Sequence, residues 1–416
     1  MGIAHRIAEK LTKYPVVKRT IKDVYAITGN ILSDKRTDIE GITQVSSGQC
    51  AHNFGYYDKC PWSADQQYMI YTAPKNATSA YVSCEPTPIV LCDLRSGQEK
   101  IIAHTNVWNS QQGCMLQWLG PDFQSHILFN DFRNGTYCSV IHCVASGEQT
   151  VLKMPVYSVS SDGKTAITLD FSRLNSFGPG YGYNNLPDLT KEQFAPESAC
   201  MWRLDLVKNE VFPLPITYRS LMEIQPQQGM EMGFHKINHI MLNPSASRFM
   251  FIHRWLVNGV KYHRLLTCNI DGSDLYVLLD DGMVSHNNWK DDETIISYSY
   301  AKADGNAYHI LRDRTKQIDT IGSGILNVDG HPSYSPDGKY IITDTYPDFK
   351  RKQALYLIRV EDGAVKRLGS IYANIAYRND VRCDLHPRWS HDSSMVCIDG
   401  ACGKHRQVFT IKVDRF

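Results

Sequence analysis

The chain has 416 residues, of which 43% are hydrophobic and 21% charged, a composition typical of globular proteins. Its 44 Lys and Arg residues balance 43 Asp and Glu residues, so no overall field favours nucleic acid as a partner. The sequence contains no apolar run of about 18 residues, no recognisable secretory signal and no CxxC pair among its 12 cysteines. We therefore expect a cytoplasmic protein with reduced thiols.

The first 40 residues differ from the rest and predict a separate helical segment. Residues 1–36 carry eight basic side chains against three acidic ones, and their apolar residues recur at helical spacing. Pro15 is expected to divide this segment into two short helices. One interpretation is a basic amphipathic segment that contacts an anionic membrane surface, peripheral to the inner membrane. The other is a helix that caps one face of the domain and has a solvated outer side.

Strand-rich units follow from about residue 45 onward, with a period of roughly 45 residues. Several units contain Asp-Gly hairpin turns, at 160–164, 269–274, 335–339 and 360–364. Glycine suits these turns because a tight hairpin needs a positive φ. Seven such units over residues 41–416 predict an all-β fold, a seven-bladed β-propeller.

The units are predicted to open near Trp62, Trp118, Val159, Leu242, Trp289, Tyr334 and Trp389. The last unit ends at residue 416 before its fourth strand, so residues 41–47 are expected to supply that outermost strand. The largest insertion, residues 171–198, is too long for a hairpin turn. We expect it to cover one mouth of the propeller.

A histidine precedes the opening residue by three positions in each of the last four units. These histidines are His239, His286, His331 and His386. The first strand of a blade lines the central channel, so equivalent positions form a ring and the imidazoles are predicted to converge at one mouth. The equivalent residues of the first three units are Lys59, Met115 and Val156. Alternatively, each imidazole bonds to a neighbouring backbone and holds the blades in register.

Two further segments, residues 51–62 and 217–239, supply polar side chains near these positions. The candidate substrate-binding residues are His52, Tyr57, Lys59, His235, Arg254 and His331. Arginine binds carboxylates through paired hydrogen bonds, and aromatic rings stack on sugars, so the set indicates an acidic oligosaccharide. The aromatic residues could equally serve blade packing. The sequence contains no P-loop, GxSxG or HExxH motif that would favour another chemistry.

Residues 235–416 resemble the oligogalacturonate lyase family, cytoplasmic seven-bladed propellers that cleave uronate-containing oligosaccharides by β-elimination. The resemblance lies in INHIMLNPSASRFMFIHRW (237–255), VSHNNWKDDETIISY (284–298) and LHPRWSHDSSMVCIDG (385–400). HNFGYYDKCPW (52–62) is similar instead to propellers associated with bacterial capsule or O-antigen synthesis.

The lyase resemblance implies roles for four residues. His239 would be the base that takes the proton α to a uronate carboxylate, and Arg219 would be a carboxylate clamp. His286 and His386 would help to hold a divalent metal, typically manganese, which neutralises that carboxylate.

The chain departs from the family pattern in its last unit. Arg388 occupies the place of a second metal-binding histidine, and Cys383 stands about where the family has a glutamine. A protonated arginine cannot ligate a metal. Arg388 could instead supply positive charge directly, in a metal-free site for an anionic sugar.

Three functions follow as alternatives from the sequence. The first is a lyase that acts on acidic oligosaccharides. The second is an assembly protein or glycosyltransferase for bacterial surface polysaccharide at the inner membrane. The third is a non-catalytic propeller scaffold, because propellers host many functions.

Overall fold

The computed structural model describes residues 15–78, 85–178 and 180–416. Within these ranges it consists of seven antiparallel sheets arranged as a seven-bladed β-propeller, which confirms the predicted fold. The helices are α1 (Pro15–Leu32), α2 (Phe171–Ser176) and α3 (Tyr218–Glu223), with 3-10 turns at Met230–Met232 and Asn379–Val381. No helix in the described ranges combines the length and hydropathy needed to span a bilayer.

The strands are numbered in chain order, and the blades are described from the channel outward. Blade 1 contains β2 (Tyr68–Thr72), β3 (Thr87–Asp93) and β4 (Glu99–Thr105). Blade 2 contains β5 (Gln117–Trp118), β6 (His126–Arg133), β7 (Thr136–Cys143) and β8 (Gln149–Leu152). Blade 3 contains β9 (Ser158–Val159), β10 (Thr165–Leu169), β11 (Met201–Asp205) and β12 (Glu210–Pro213). Blade 4 contains β13 (Phe234–Leu242), β14 (Arg248–Val257), β15 (Val260–Asn269) and β16 (Tyr276–Gly282).

The remaining blades follow the same order. Blade 5 contains β17 (Val284–Trp289), β18 (Thr294–Ala301), β19 (Gly305–Arg312) and β20 (Ile318–Ile321). Blade 6 contains β21 (Ser333–Tyr334), β22 (Tyr340–Asp344), β23 (Lys352–Arg359) and β24 (Val365–Tyr372). Blade 7 contains β25 (Arg388–Trp389), β26 (Met395–Gly400) and β27 (Gln407–Lys412).

The propeller closes through a strand from the other end of the chain. β1 (Ile42–Gln44) pairs antiparallel with β27, with Ile42 opposite Ile411, and forms the outermost strand of blade 7. This confirms the closure predicted from residues 41–47. The pairing covers the edge of the last blade, which would otherwise present unpaired backbone groups.

Tryptophans at three of the blade openings link blades 2, 5 and 7 to the blade before them. The indole of Trp118 donates to the Pro61 carbonyl at 2.9 Å. Two other indoles do the same, with Trp289 bonded to Met241 at 3.0 Å and Trp389 to Ser333 at 3.0 Å. Each ring therefore fills the space between adjacent sheets while its N–H satisfies a backbone carbonyl. The repeated aromatic signal in the sequence is thus a signal for blade stacking.

Blade 1 differs from the others because its innermost place is taken by an irregular segment. Residues 51–62 make only isolated bridges there, between Asn53 and Thr72 and between Trp62 and Met69. The tyrosines of this segment, Tyr56 and Tyr57, are almost fully buried.

The helical prediction for the N-terminal segment is met in its second part. α1 begins at Pro15, where proline is favoured because its missing N–H would have no partner in the first turn. The helix predicted before Pro15 lies outside the described residues.

Candidate active site

The four repeated histidines converge, as predicted from the symmetry of the propeller. Ring centroids lie 4.0 Å apart for His286 and His331, 4.3 Å for His331 and His386, and 5.3 Å for His239 and His286. All four side chains are buried. We call this group the histidine cluster.

Two of these histidines have a left-handed backbone conformation. His239 and His386 have positive φ angles of 55° and 46°, and a β-bulge interrupts β13 between Asn238 and Met241. Positive φ is costly for a residue with a β-carbon, and such strain is often found at functional sites. Met115, the equivalent residue of blade 2, has a φ of 56°. The conformation is therefore shared by the openings of blades 2, 4 and 7, and it carries a histidine in two of them.

Three imidazoles of the cluster are fixed through Nδ1 by a protein oxygen. The pairs are His286 with Asp329 Oδ1 at 3.1 Å, His331 with Asp344 Oδ1 at 2.8 Å, and His386 with the Gly55 carbonyl at 2.9 Å. An Nδ1–H that donates to such an oxygen leaves Nε2 with its lone pair available. This arrangement is typical of histidines that bind metals.

Unpartnered nitrogen atoms and a carboxylate meet at the centre of the cluster. The Nε2 atoms of His331 and His386 are buried and have no hydrogen-bond partner among the described residues. Ligand atoms of His331, Asp384 and His386 lie within 4.8 Å of one another, close enough to bind one metal ion. Asp384 is itself oriented by Arg382, whose NH2 group donates to Oδ2 at 2.8 Å. The donor set of imidazole nitrogen and carboxylate oxygen suits divalent transition metals.

Burial and neighbouring charges keep most of the cluster neutral. Burial lowers the pKa of His239, His286 and His386. The other imidazoles lower these pKa values further, as does Arg254 for His239 and His286 and Arg388 for His386. Burial also opposes the charged form of His331, but the Asp344 carboxylate outweighs it and raises the pKa of His331. Neutral imidazole is the form that binds a metal or accepts a proton.

Two tyrosines of the 51–62 segment pack against the histidine cluster. The Tyr56 hydroxyl lies 2.7 Å from Nδ1 of His239. The Tyr57 hydroxyl donates to the Asn287 carbonyl at 2.7 Å and accepts from its N–H at 3.0 Å. Tyr57 was predicted as a site residue, but Tyr56, which contacts the candidate base, was not.

Side chains from three other segments form the rim. Tyr181, from the insertion 171–198, packs within 6.4 Å of both Tyr56 and His239, measured between ring centroids. The insertion therefore reaches the mouth that contains the histidines, as predicted. Tyr346 packs against the Arg382 guanidinium at 4.2 Å.

Two basic side chains lie beside the candidate base. Arg254 is partly buried, its Nε has no hydrogen-bond partner among the described residues, and its charge lowers the pKa of His239. Lys236 is buried, and its ammonium group donates to the Phe177 carbonyl at 3.3 Å. Burial lowers the pKa of Lys236 well below its usual value, and the Arg254 charge lowers it further.

Arg388 is adjacent to the cluster but is bonded to other groups. Its guanidinium donates to Asp399 Oδ2 at 2.8 Å and to the Gly55 carbonyl at 3.1 Å. Asp399 in turn accepts from the backbone N–H groups of Phe54 and Gly55. The charge of Arg388 is thus matched by a buried carboxylate, and the pair supports the backbone that bonds to His386. Cys383 is buried, which raises the pKa of its thiol to about 12.

The structure places four other predicted residues away from the cluster. Arg219 is exposed on α3 and pairs with exposed Glu197 at 3.5 Å. His52 packs against Tyr71 near Glu99, and His235 bonds to His253 at 2.8 Å within blade 4. Lys59 pairs with Asp58 at 2.7 Å and lines a cavity of about 210 Å³ with Met241 and Asn288. Met241 and Asn288 come two residues after His239 and His286 on the innermost strands. Lys59 therefore lies farther along the channel than the level of the histidines, where the sequence analysis had placed it.

Comparison with known proteins adds the fold relationship. No family model and no curated protein sequence matches the chain. An oligogalacturonate lyase solved in complex with manganese is 14% identical over 91% of this chain and 96% of its own, with a TM-score of 0.67. An oligogalacturonate lyase from Vibrio parahaemolyticus is 12% identical over 91% and 96%, with a TM-score of 0.63. The β-propeller domain of the Trilobed protease from Pyrococcus furiosus is 11% identical over 84% and 93%, with a TM-score of 0.50.

At such low sequence identities, the structural similarity establishes a shared fold alone. The protein is a seven-bladed β-propeller with a buried histidine and carboxylate cluster at one mouth of its channel. Its fold is that of the oligogalacturonate lyases, in agreement with the resemblance found in the sequence.

Proposed function

We propose that this protein is a metal-dependent lyase that cleaves uronate-containing oligosaccharides by β-elimination. The observation that carries the proposal is the set of three imidazoles anchored through Nδ1, two of which present buried and unpartnered Nε2 atoms beside a carboxylate. A buried polar atom without a partner is costly, so a ligand that satisfies several of them at once is favoured. The similarity in fold to an oligogalacturonate lyase solved in complex with manganese supports the same function.

The residues present fit a divalent metal ion. His331, His386 and Asp384 would hold it, so the set differs from the one predicted from the sequence, His286 and His386. His286 lies next to these ligands, with its ring centroid 4.0 Å from that of His331. A cation bound there would neutralise a substrate carboxylate and make the hydrogen on the adjacent carbon more acidic.

The side chains around this position have separate tasks in an elimination. His239 accepts the proton from the carbon α to the carboxylate, and the Tyr56 hydroxyl at 2.7 Å orients its ring. Arg254 provides positive charge for the carboxylate, the task that the sequence resemblance gave to Arg219. Tyr181 and Tyr346 offer aromatic surfaces at the rim for the sugar rings.

The reaction balances without a co-substrate. The α carbon loses a proton to His239, a carbon–carbon double bond forms, and the bond from the β carbon to the glycosidic oxygen breaks. The released glycosidic oxygen takes up one proton and becomes a hydroxyl. That proton is the one that His239 removed from carbon, or a solvent proton that has exchanged with it. The product carries an unsaturated uronate that absorbs in the near ultraviolet.

The test separates metal binding from chemistry. Titration calorimetry with Mn²⁺ on the wild type should show one site, and His386→Gln should weaken it by more than the 10- to 100-fold typical of losing only an outer-shell partner. His239→Gln should bind Mn²⁺ as the wild type does yet release no ultraviolet-absorbing product. His235→Gln, a buried histidine outside the cluster, is the matched control. Absence of an absorbance rise with every uronate glycan tested, despite bound Mn²⁺, would refute the lyase function.

A further inference from the structure

The helix α1 has its apolar face turned away from the protein. Its apolar residues recur at helical spacing, at Val17, Ile21, Val24, Ile27 and Ile31. All of them are exposed, from 46% for Ile27 to 74% for Ile31. A surface helix normally buries such a stripe against the core and exposes its polar side. Here the arrangement is reversed, and we call these five residues the apolar stripe.

The opposite face of α1 holds the helix on the propeller. Gly29 is buried, and a β-carbon at this position would overlap the Phe349 carbonyl, so only glycine permits this close approach. Tyr25 packs against the Phe349 ring with centroids 4.8 Å apart. Asp23 accepts a hydrogen bond from Arg378 at 3.1 Å, and Asn30 bonds to the Tyr372 hydroxyl. The small and polar face is therefore the docked face, which fixes the apolar stripe toward solvent.

The charge around the apolar stripe is positive. Arg19 and Lys22 on α1, and Lys35 and Arg36 just after it, are exposed, and the exposed Asp34 next to them pairs with Lys352. Asp23 is the only acidic residue of α1, and it faces Arg378 on the docked side. A helix with an exposed apolar stripe on one face and basic side chains on its polar face is the pattern that binds to the interface of an anionic bilayer.

The helix lies on the same side of the propeller as the histidine cluster. Phe349 belongs to the loop between β22 and β23, which also carries Tyr346 of the rim. Arg378 belongs to the segment between β24 and β25, which also carries Arg382 and Asp384. A surface bound by α1 would therefore face the mouth of the candidate active site.

We propose that α1 is a fixed membrane-docking element, which binds anionic lipid bilayers through the apolar stripe and the basic residues Arg19, Lys22, Lys35 and Arg36, and orients the mouth of the channel toward the membrane. This inference does not depend on the chemistry of the histidine cluster. It favours substrates presented at a membrane surface over substrates free in solution.

Flotation of the full chain with vesicles tests the proposal. The wild type should float with phosphatidylcholine vesicles that contain phosphatidylserine, much less with phosphatidylcholine alone, and less in high salt. Ile21→Asp with Val24→Asp should abolish flotation. Arg19→Ala with Lys22→Ala should reduce affinity roughly 25-fold, since each basic side chain near an anionic surface contributes about fivefold.

The control substitution is on the opposite side of the propeller. Val207 is 73% exposed in the hairpin between β11 and β12, and Val207→Asp should leave flotation unchanged. All variants should keep the thermal transition of the wild type, because the altered residues are exposed. The proposal is overturned if the wild type does not float with anionic vesicles, if Val207→Asp loses as much binding as the double variant, or if the apolar stripe instead mediates a dimer that Ile21→Asp with Val24→Asp dissociates.

Discussion

The imidazole of His331 and the carboxylate of Asp344 meet 2.8 Å apart, and both side chains are almost completely buried, 1% and 0% exposed. The same carboxylate accepts from the backbone N–H of His331 at 2.7 Å and of His386 at 3.2 Å. Asp344 therefore positions two histidines of the cluster, one in blade 6 and one in the segment that enters blade 7. These hydrogen-bond donors stabilise the Asp344 carboxylate, so removing its charge should disturb the positions of both histidines.

Asp344 gives the first prediction, which concerns metal affinity. Asp344→Asn keeps the size of the side chain but removes the charge that orients His331, so Mn²⁺ affinity should fall about 10- to 100-fold. Titration calorimetry measures the change. Asp362→Asn, at an exposed carboxylate paired with Arg359, is the control and should leave Mn²⁺ affinity unchanged. Unaltered affinity in Asp344→Asn would argue against a metal at His331.

Tyr56 gives a prediction about turnover. Tyr56→Phe removes only the hydroxyl that contacts His239, so the lyase rate should fall about 10- to 100-fold while Mn²⁺ affinity stays within error. Initial rates of ultraviolet absorbance and calorimetry separate the two effects. Tyr71→Phe, which removes a buried hydroxyl bonded to Glu99, is the matched control and should keep the full rate. Equal losses in both variants would show that the Tyr56 hydroxyl has no specific role.

Arg388 gives a prediction about stability. Arg388→Met leaves the Asp399 carboxylate buried without its cation, which should lower the free energy of unfolding by about 3–5 kcal/mol. Arg388→Met combined with Asp399→Asn removes the unmatched charge and should cost less than the single substitution. Denaturant unfolding measures both. A variant Arg388→Met that unfolds like the wild type but releases no product would instead support the catalytic role predicted from the sequence, in which Arg388 supplies positive charge to an anionic sugar.

His235 gives a prediction about pH. Burial lowers the pKa of His235 to about 4, whereas a solvated histidine titrates near 6.5. Between these values the unfolded chain binds a proton that the folded chain does not, so the free energy of unfolding falls as the pH drops from about 6.5 to 4. Below about pH 4 this residue is protonated in both states and causes no further loss of stability. The contribution of His235 is on the order of 3 kcal/mol at most, from the size of the pKa shift.

The measurement for His235 compares two stability profiles. Other buried histidines contribute to the slope of the wild type, so the difference between the wild type and His235→Gln isolates this residue. The variant should lose less stability on acidification. Parallel profiles would show that His235 is protonated in the folded protein or not exposed on unfolding.

The sequence predicted the architecture because its signals are local and repeated. Asp-Gly turns gave hairpins with positive φ, as at Gly163 and Gly338, with φ angles of 71° and 67°. The aromatic openings gave blade contacts, as at Trp389. Convergence of the histidines followed from symmetry alone, because equivalent positions of successive blades must meet at the channel.

Other parts of the site were missed or misplaced for an identifiable reason. Asp329 and Asp344 anchor His286 and His331, yet carboxylates are common near turns and nothing local marks Asp344. The aspartate two residues before His331 was a usable signal for the first of them. Arg219 was expected at the site and is exposed on α3, because an approximate match in position says nothing about where a short helix lies.

The sequence by itself determined a closed ring of seven blades and brought four imidazoles to one mouth, since both follow from a repeat that every blade obeys. Only the tertiary structure decided which atoms those imidazoles present and where the neighbouring charges point. The Asp399 carboxylate pairs with the Arg388 guanidinium, and the 51–62 segment places the Tyr56 hydroxyl 2.7 Å from Nδ1 of His239. These pairings join residues that are distant in the chain or on different strands. A buried polar side chain must point toward a hydrogen-bond partner, and which partner is near is known only once the chain has folded.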